Sequence, residues 1–457
     1  MRRKREAPIY ESTKEPYHRP MRRVIPVEFS GEGSGEDELS WGQREIWQAF
    51  VEQKTWMPIG GTLPLPDGHT LDDAIERLRY LMSRYRAMRT RLTFAPDGTP
   101  RQVVHAAGTI GLEVVDAGDA DPYEVGRAVQ RRYEETELDF VAEWPVRMAV
   151  IERGGTPTHL VAIMTHLVMD GGGSAVMMAE SERQETAPVG GMQALEQVRW
   201  QRSPAGQRQS ASAIRHWETT MRAIPLRRFA GDGDPQKPRY WRGELTSVAL
   251  ELALRALVAR TQVDATAIMQ TLYAVTMARI GGVNPVATRL VTSNRFRPGL
   301  AEVVGPVSQT SLCSMDVAGV PFVEALDRVR RAAMTAYKYG YYDRARLEEV
   351  TAEVVRDRGP EFDLDCFYND RRGPTRAEAV DPAEIQAALP RTKMRWPIKR
   401  DEVYPRMFFN VDDGTAFGST GEILLHIEID THFVPPSAAE ALLYGMEEMA
   451  VNEATAS

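Results

Sequence analysis

The spacing of apolar residues switches between two periods along the chain, and the two periods together predict a layered α/β fold. Apolar residues three and four apart predict helices, whereas short runs that alternate or are wholly apolar predict strands. The first half therefore predicts helices at residues 39–50, 71–89 and 122–136, and strands at residues 102–105, 112–115, 145–152 and 158–165. Strands and helices in this order are typical of an α/β sandwich, in which a sheet and helices form separate layers.

The second half of the chain repeats this pattern. It predicts strands at residues 246–252, 286–294, 362–368, 406–410 and 423–430, and helices at residues 261–280, 320–334 and from Ser437 onward. Residues 181–213 lie between the halves, are polar and rich in Gly, Ser and Gln, and predict a linker with one short helix at residues 192–199. We therefore expect two α/β domains that meet near residues 180–215.

Residues 1–38 predict a leader that is partly disordered. They begin with the basic run Arg2–Arg5 and end in a polar, acidic stretch, although residues 24–29 can pair as an edge strand. Order is expected to begin where Ser40 and Gln43 have the spacing of a helix capping box, and Thr70 and Asp73 repeat that spacing at the next helix.

The stretch LVAIMTHLVMDGGGS, residues 160–174, is the strongest candidate for chemistry. An apolar strand ends at His166, and Asp170 and Gly171 follow it at fixed spacing. Histidine is the side chain that most readily acts as a base near neutral pH. Two other interpretations stay open: a buried histidine bonded to a backbone carbonyl, and a phosphopantetheine attachment site at Ser174, although such a serine needs an exposed loop on a small helical domain.

Composition restricts the class of protein further. The chain has 457 residues, a net charge of −8 and 43% hydrophobic residues, so a globular fold is expected and broad nucleic-acid binding is not. No apolar run approaches the roughly 20 residues of a membrane helix. The two cysteines, Cys313 and Cys366, have no metal-site spacing, and the His residues suggest none, so we expect no metal and a reducing cytoplasm.

Several segments, in the order in which they occur, resemble the condensation domains of nonribosomal peptide synthetases, within the chloramphenicol-acetyltransferase-like superfamily. The active-site motif of that family, usually His-His-x-x-x-Asp-Gly, is matched by MTHLVMDGGG. The other matching segments are LSWGQREIW, YRAMRTRLTF, ELDFVAEWPVRMAVI, VTSNRFRPGLAEVVGPVSQTSL, LDCFYND and HIEIDTHFVPPS. The resemblance covers roughly residues 39–450.

The resemblance implies two acetyltransferase-like α/β lobes arranged as a V around a central tunnel. After the leader, residues 1–38, the N-terminal lobe would be residues 39–205, with the His-x-x-x-Asp-Gly motif, and the C-terminal lobe residues 206–457. The resemblance further implies that phosphopantetheine arms of carrier proteins present the substrates. It also implies that residues 374–404 cross from the second lobe toward the first.

The same resemblance assigns roles to individual residues. His166 is the implied catalytic residue, which positions the attacking amine or takes its proton. Asp170 is the implied structural residue that pairs with an arginine, for which Arg295 is the candidate, and Gly171, together with Gly172, is expected to offer N–H groups near the oxyanion. Thr165 stands where the family usually has its first, mainly structural, histidine.

The functional expectation is a free-standing condensation enzyme, with carrier proteins acting in trans because no adenylation or carrier segment is found in the sequence. It would join a carrier-bound acyl or aminoacyl thioester to an amine in the biosynthesis of antibiotic-like peptides, and bind no cofactor, nucleic acid or membrane itself. Two alternatives remain: an ester-forming or other acyltransferase, and a degenerate domain that recruits partners. Thr165 and YYDRARLEEV, which replaces a late family motif, favour the degenerate domain.

Overall fold

The structure is a computed structural model that describes residues 22–229, 232–414 and 421–456. The strands of this part of the chain are β1 Arg22–Ser30, β2 Gly35–Glu38, β3 Pro58–Pro64, β4 Thr90–Phe94, β5 Pro100–Val104, β6 Ala107–Asp116, β7 Val146–Arg153, β8 Thr156–Thr165, β9 Tyr240–Ser247, β10 Val286–Thr292, β11 Gln309–Met315, β12 Cys366–Asp370, β13 Lys393–Arg400, β14 Met407–Asp413 and β15 Ile423–Asp430.

The helices are α1 Trp41–Gln53, α2 Leu71–Arg84, α3 Pro122–Glu135, α4 Gly171–Glu182, α5 Ala194–Arg202, α6 Pro204–Ala223, α7 Val248–Thr261, α8 Ala265–Gly281, α9 Phe322–Lys338, α10 Arg344–Arg358, α11 Pro382–Ala388 and α12 Pro436–Thr455. Short 3₁₀ turns occur at Arg86–Arg89, His166–Val168 and Leu389–Arg391. Both predicted capping boxes are present, from Ser40 to Gln43 and from Thr70 to Asp73.

Two compact units make up the fold. Among the described residues, the first unit contains residues 22–33, Pro58–Arg91 and His105–Thr165. The second unit contains Ser34–Met57, Leu92–Val104 and the residues from His166 onward. These units do not coincide with a division at residues 205/206, because residues 166–205 cluster with the C-terminal part of the chain.

The first unit is organised around a sheet with strand order β1-β6-β7-β8-β3. β6 and β7 are parallel, and the other neighbours are antiparallel. Strand β1 lies at the sheet edge and comes from the predicted leader, so the edge strand expected at residues 24–29 is present, while residues 1–21 lie outside the described residues. Strand β8, buried near its end, brings the chain to His166.

The second unit contains the larger sheet, with strand order β11-β10-β12-β14-β15-β9-β13. Helices α7, α8 and α12 pack together with its apolar side chains in the main core, which includes Leu245, Leu272, Phe409, Leu425 and Leu443. Within the same strands, polar side chains such as Glu244, Asn410 and His426 are also buried.

The predicted linker at residues 181–213 is instead largely helical. Ser203 caps α6 by accepting the N–H of Gly206, and Pro204 occupies the first turn, where its missing N–H costs nothing. The buried face of α6 carries small residues followed by Trp217 and Met221. The short helix predicted at residues 192–199 is present as α5. The linker prediction was wrong for residues 204–213, because polarity and small residues looked like a loop, whereas here they let α6 pack closely against α10 and β11.

Residues 374–404 also differ from the expectation. Helix α11 packs against α7 and α12, and β13 pairs antiparallel with β9 as the edge strand of the larger sheet. The predicted crossing toward the other lobe was therefore wrong for this segment, whose described neighbours belong to its own unit.

Candidate active site

His166 stands where β8 ends and the chain turns. It opens the 3₁₀ turn His166–Val168, and its backbone N–H donates to the Met57 carbonyl at 3.1 Å. The next three side chains, Leu167, Val168 and Met169, are buried and anchor the turn. The imidazole itself is partly exposed, so the fold holds its backbone firmly while leaving part of the ring accessible.

The surroundings of His166 favour its neutral form. Burial lowers the pKa of His166, while nearby backbone groups of His166 and Met169 and the charge of Asp170 act in the opposite direction. Its Nδ1 atom is buried and has no hydrogen-bond partner among the described residues. A neutral imidazole keeps one nitrogen lone pair free, which is the property that a general base needs.

Asp170 is the structural centre of the turn. Its side chain is buried, and Oδ1 accepts the N–H of Gly173 at 2.7 Å and a hydrogen bond from Arg295. Oδ2 accepts the N–H of Val307 at 3.1 Å and the hydroxyl of Ser308 at 3.0 Å. A carboxylate whose two oxygens are both occupied in this way holds elements together and has little freedom to act as an acid.

Arg295 completes this arrangement from a second loop. Besides its ion pair with Asp170, it donates to the carbonyls of Val303 at 2.7 Å and Gly305 at 3.2 Å. The guanidinium lies directly over Gly172, where an added Cβ would come within 2.1 Å of Arg295 Nε. A side chain at residue 172 and the ion pair are therefore incompatible.

Gly171 and Gly172 form the first turn of α4, with Asp170 as the N-cap. The N–H of Gly173 is taken by Asp170 Oδ1 and that of Ser174 by the Asp170 carbonyl at 2.8 Å. The N–H groups of Gly171 and Gly172 have no partner within the described chain, as is usual for a helix start, and Gly171 is exposed. The site thus places free N–H donors five and six residues after His166.

The structure brings His166, Asp170, Gly171 and Arg295 into the same unit, as the motif suggested, while Thr165 ends the first unit. Thr165 is fully buried at the end of β8, where its N–H donates to the Pro145 carbonyl at 3.0 Å. Ser174 lies inside α4 and not on an exposed loop, which disfavours an attachment site there.

Two supporting residues were not singled out from the sequence. Ser308, already described, binds Asp170, and Asn294 is buried with a left-handed backbone, φ 58°. The Asn294 amide donates to the carbonyls of Val307 at 3.0 Å and Gly340 at 2.8 Å, which fixes the loop that carries Arg295. Asparagine tolerates this backbone conformation better than most residues, so the Asn-Arg pair was the available signal.

Across residues 22–229, 232–414 and 421–456, no three His, Cys, Asp or Glu side chains are grouped so that they could hold a metal ion. No helix of these ranges is long and apolar enough to cross a membrane.

A sequence model of the condensation domain matches residues 67–389. This match covers most of the chain, and the chain therefore belongs to the condensation-domain family.

The chain is similar to segments of much longer peptide synthases. The chain is 26% identical over 352 residues to an isonitrile lipopeptide synthase of Mycobacterium tuberculosis, covering 70% of this chain and 13% of that protein. It is 23% identical over 329 residues to CymA of Salinispora arenicola, a probable non-canonical nonribosomal peptide synthetase, covering 65% of this chain and 4% of that protein. The chain thus spans only a small part of these relatives.

Solved structures show the same fold. A condensation domain that mediates chain release from the enacyloxin polyketide synthase aligns with a TM-score of 0.69 at 18% identity, over 95% of this chain and 84% of that one. The X-domain from teicoplanin biosynthesis aligns with a TM-score of 0.65 at 17% identity, over 92% and 96%. The predicted acetyltransferase-like α/β fold is confirmed, while the V and the tunnel stay predictions.

Proposed function

We propose that this condensation domain forms an amide by joining an acyl or aminoacyl thioester to an amine. The observation that carries the proposal is His166: a neutral, partly exposed imidazole on a rigid turn, followed by two N–H donors without partners. Family membership supplies the reaction class, and this chain retains the histidine, the aspartate and the glycine of the family motif.

The proposed step uses these residues in turn. The amine nitrogen attacks the thioester carbonyl carbon, the C–N bond forms, and the amine proton passes to His166. The carbonyl oxygen becomes an oxyanion, which the N–H groups of Gly171 and Gly172 can stabilise, as preorganised donors do in acyl transfer. The C–S bond then breaks, and the thiol leaves with the proton that His166 returns.

In this proposal the protein itself needs no bound cofactor. The thioester is carried on the phosphopantetheine arm of a carrier protein supplied in trans, and Asp170 and Arg295 hold the turn without contacting the reacting atoms. The reaction would take place in the cytoplasm, where carrier proteins are loaded. An ester product, from a hydroxyl acceptor in place of the amine, would use the same residues.

A second candidate is a domain that recruits a partner without catalysis. It is favoured by Thr165, which departs from the family motif, and by the fold likeness to an X-domain whose structure was solved in complex with OxyB, at a TM-score of 0.64. The intact surroundings of His166 favour the enzyme over this candidate.

The test measures product formation, melting temperature and carrier binding for the parent, His166→Ala and His159→Ala. Carrier proteins loaded with octanoyl or aminoacyl arms are mixed with amine and hydroxyl acceptors and followed by intact-protein mass spectrometry. A catalytic base commonly contributes about 10²–10⁴-fold in rate, so His166→Ala should lose turnover on that order. It should melt close to the parent, because the buried Nδ1 of the ring makes no hydrogen bond with the described residues.

His159→Ala is the matched control, since His159 is a partly buried histidine of β8, the strand that leads to His166. Normal turnover in His166→Ala would disprove the proposed mechanism. Carrier binding without turnover in the parent would instead support the recruiting domain.

A further inference from the structure

A cavity in the second unit contains a buried arginine, Arg228, that has no counter-ion among the described residues. The cavity, of about 330 Å³, lies where the segment before β9, the segment before β12 and the end of β15 meet, and we call it the Arg228 cavity. Its walls include Arg228, Phe229, Cys366, Arg406 and Phe433.

Arg228 is only 7% exposed, and no carboxylate of the described chain lies within ion-pair distance of it. One amino group donates to the Pro225 carbonyl, and Nε is buried without any partner. A guanidinium has five N–H donors, so most of this group's hydrogen-bonding capacity is unused. Burying a charge is costly unless it is paired, and this one is not.

The other arginines of the cavity are paired and therefore differ from Arg228. Arg227 binds Glu361 at 2.9 Å and Arg406 binds Asp363 at 3.2 Å, which compensates both carboxylates. Asp365 accepts the N–H of Arg406 at 2.9 Å, and burial is the main cause that raises the pKa of this carboxyl.

The remaining charges near Arg228 do not compensate it either. Asp232 lies at the exposed rim of the cavity and forms no ion pair with Arg228. Arg358 is a second cation close enough to oppose the charge of Arg228, and it donates to the carbonyls of Met221 and Ile224 instead of binding a carboxylate. Asp363 is close enough for its charge to raise the pKa of Arg228, but its ion pair is with Arg406, so Arg228 has no carboxylate of its own among the described residues.

Two aromatic side chains complete the cavity. Phe229 is partly buried, and Phe433 carries the Arg406 guanidinium 3.7 Å above its ring. This combination offers an apolar or aromatic surface beside an unpaired cation. The thiol of Cys366 is buried, and burial raises its pKa to about 11, so it is not poised to react here.

We propose that the Arg228 cavity binds a small oxyanion, a carboxylate or a phosphate, attached to an apolar or aromatic body. The anion would pair with Arg228 and take up its unused N–H groups, and the body would lie against Phe229 and Phe433. This site is separate from His166, so the inference goes beyond the proposed function and does not depend on it.

The test uses isothermal titration calorimetry on the full chain, at constant ionic strength, with benzoate, phenyl phosphate and neutral benzyl alcohol as probes. Hydrogen bonds to charged groups contribute about 1.5–3 kcal/mol, so Arg228→Gln should weaken binding about 10-fold or more. Arg227→Gln is the matched control at the same cavity and should bind like the parent. Binding of benzoate alone identifies a carboxylic acid as the ligand class, and binding of phenyl phosphate alone identifies a phosphate ester.

The proposal would be overturned if neither benzoate nor phenyl phosphate bound the parent at any concentration from a 10-fold excess over the protein to the solubility limit of the anion. It would also be overturned if Arg228→Gln bound the anions as tightly as the parent. Binding of benzyl alcohol as tightly as benzoate would overturn it as well. Arg228→Met separates ligand binding from folding: removing an uncompensated buried cation should leave its melting temperature equal or higher. A clearly lower melting temperature would show that Arg228 stabilises the fold through its hydrogen bond to the Pro225 carbonyl, and it would count against a ligand site. If Arg228→Gln does not fold, Arg228→Lys, which keeps the charge but loses the planar fork, should bind both anions more weakly than the parent.

Discussion

Gly171 and Gly172 are neighbours in the sequence but have opposite steric surroundings. A Cβ at Gly172 would lie 2.1 Å from Arg295 Nε, whereas a Cβ at Gly171 would meet nothing within 4 Å. Neither residue has a positive φ, so backbone strain does not distinguish them. The difference lies entirely in the close approach of Arg295, and Gly172 is the glycine that the Asp170–Arg295 ion pair requires.

Gly172→Ala is therefore expected to lower the free energy of unfolding by about 1–3 kcal/mol, the usual cost of overpacking a closely packed site. Gly171→Ala is the matched control and should be unchanged or about 0.5 kcal/mol more stable, because alanine reduces the entropy of the unfolded chain. Urea unfolding of the two variants measures this. Equal effects in both would show that Arg295 moves away at no cost.

At the scale of the element, β15 buries its polar side chains as completely as its apolar ones. Leu425, Ile427 and Ile429 enter the main core, while His426 is 3% exposed within the same strand. The ring of His426 lies between Arg242 and Arg371, each 3.3 Å from one of its nitrogens. The Asp412 carboxylate lies 3.4 Å from Nδ1, but it is bound by Arg371. Burial, followed by the charges of these two arginines, lowers the pKa of His426 to about 2.

This environment predicts a stability that falls in acid. The pKa of His426 is about 6.5 in the unfolded chain and about 2 in the folded chain. Between these two pH values the unfolded state binds a proton that the folded state does not bind, so acid favours unfolding. Between pH 7.5 and 5.0 the linkage should remove about 2 kcal/mol from the free energy of unfolding.

Urea unfolding at these two pH values is to be compared for the parent, His426→Gln and His432→Gln. His426→Gln should lose about 2 kcal/mol less than the parent on acidification. The exposed His432 serves as the control, and its variant should behave like the parent. If His426→Gln and the parent lose the same amount, the folded pKa of His426 is not depressed.

At the scale of the whole molecule, the chain does not divide into consecutive halves. It passes between the two compact units at residues 33/34, 57/58, 91/92, 104/105 and 165/166. Helix α1 shows the consequence, because its Glu45 lies between Arg289 at 3.4 Å and Arg344 at 3.3 Å. Both guanidiniums are about 15% exposed or less, so the C-terminal part of the chain depends on a carboxylate from near the N-terminus.

A fragment of residues 206–457, the lobe expected from the sequence, should therefore fail to fold cooperatively. It lacks Glu45 and Asp170, so Arg289 and Arg295 lose their carboxylates and Arg344 keeps only Glu348. Removing one partner of a buried pair typically costs about 3–5 kcal/mol. Calorimetry and circular dichroism of the fragment, with the full chain as control, measure this. A sharp transition at the parent's melting temperature would show that the fragment is an independent domain.

The sequence by itself determined the features that depend on residues close together in the chain. The two capping boxes join residues three apart, strand β8 follows from one apolar run, and the motif placed His166 at its end. Arg295 was named as the partner of Asp170 through family resemblance, because the two residues are 125 positions apart and no local pattern signals their contact.

Tertiary structure alone decided which polar residues are buried. The alternating pattern of β15 suggests one exposed face, yet Arg242 of β9 and Arg371, which follows β12, cover His426. The polar segment at residues 204–223 has a local helix start at Ser203 and Pro204, but only its packing shows that its small residues face a neighbour. Nothing in the sequence around Arg228 marks it as buried. Its burial without a carboxylate partner among the described residues arises only when distant segments of the chain pack around it.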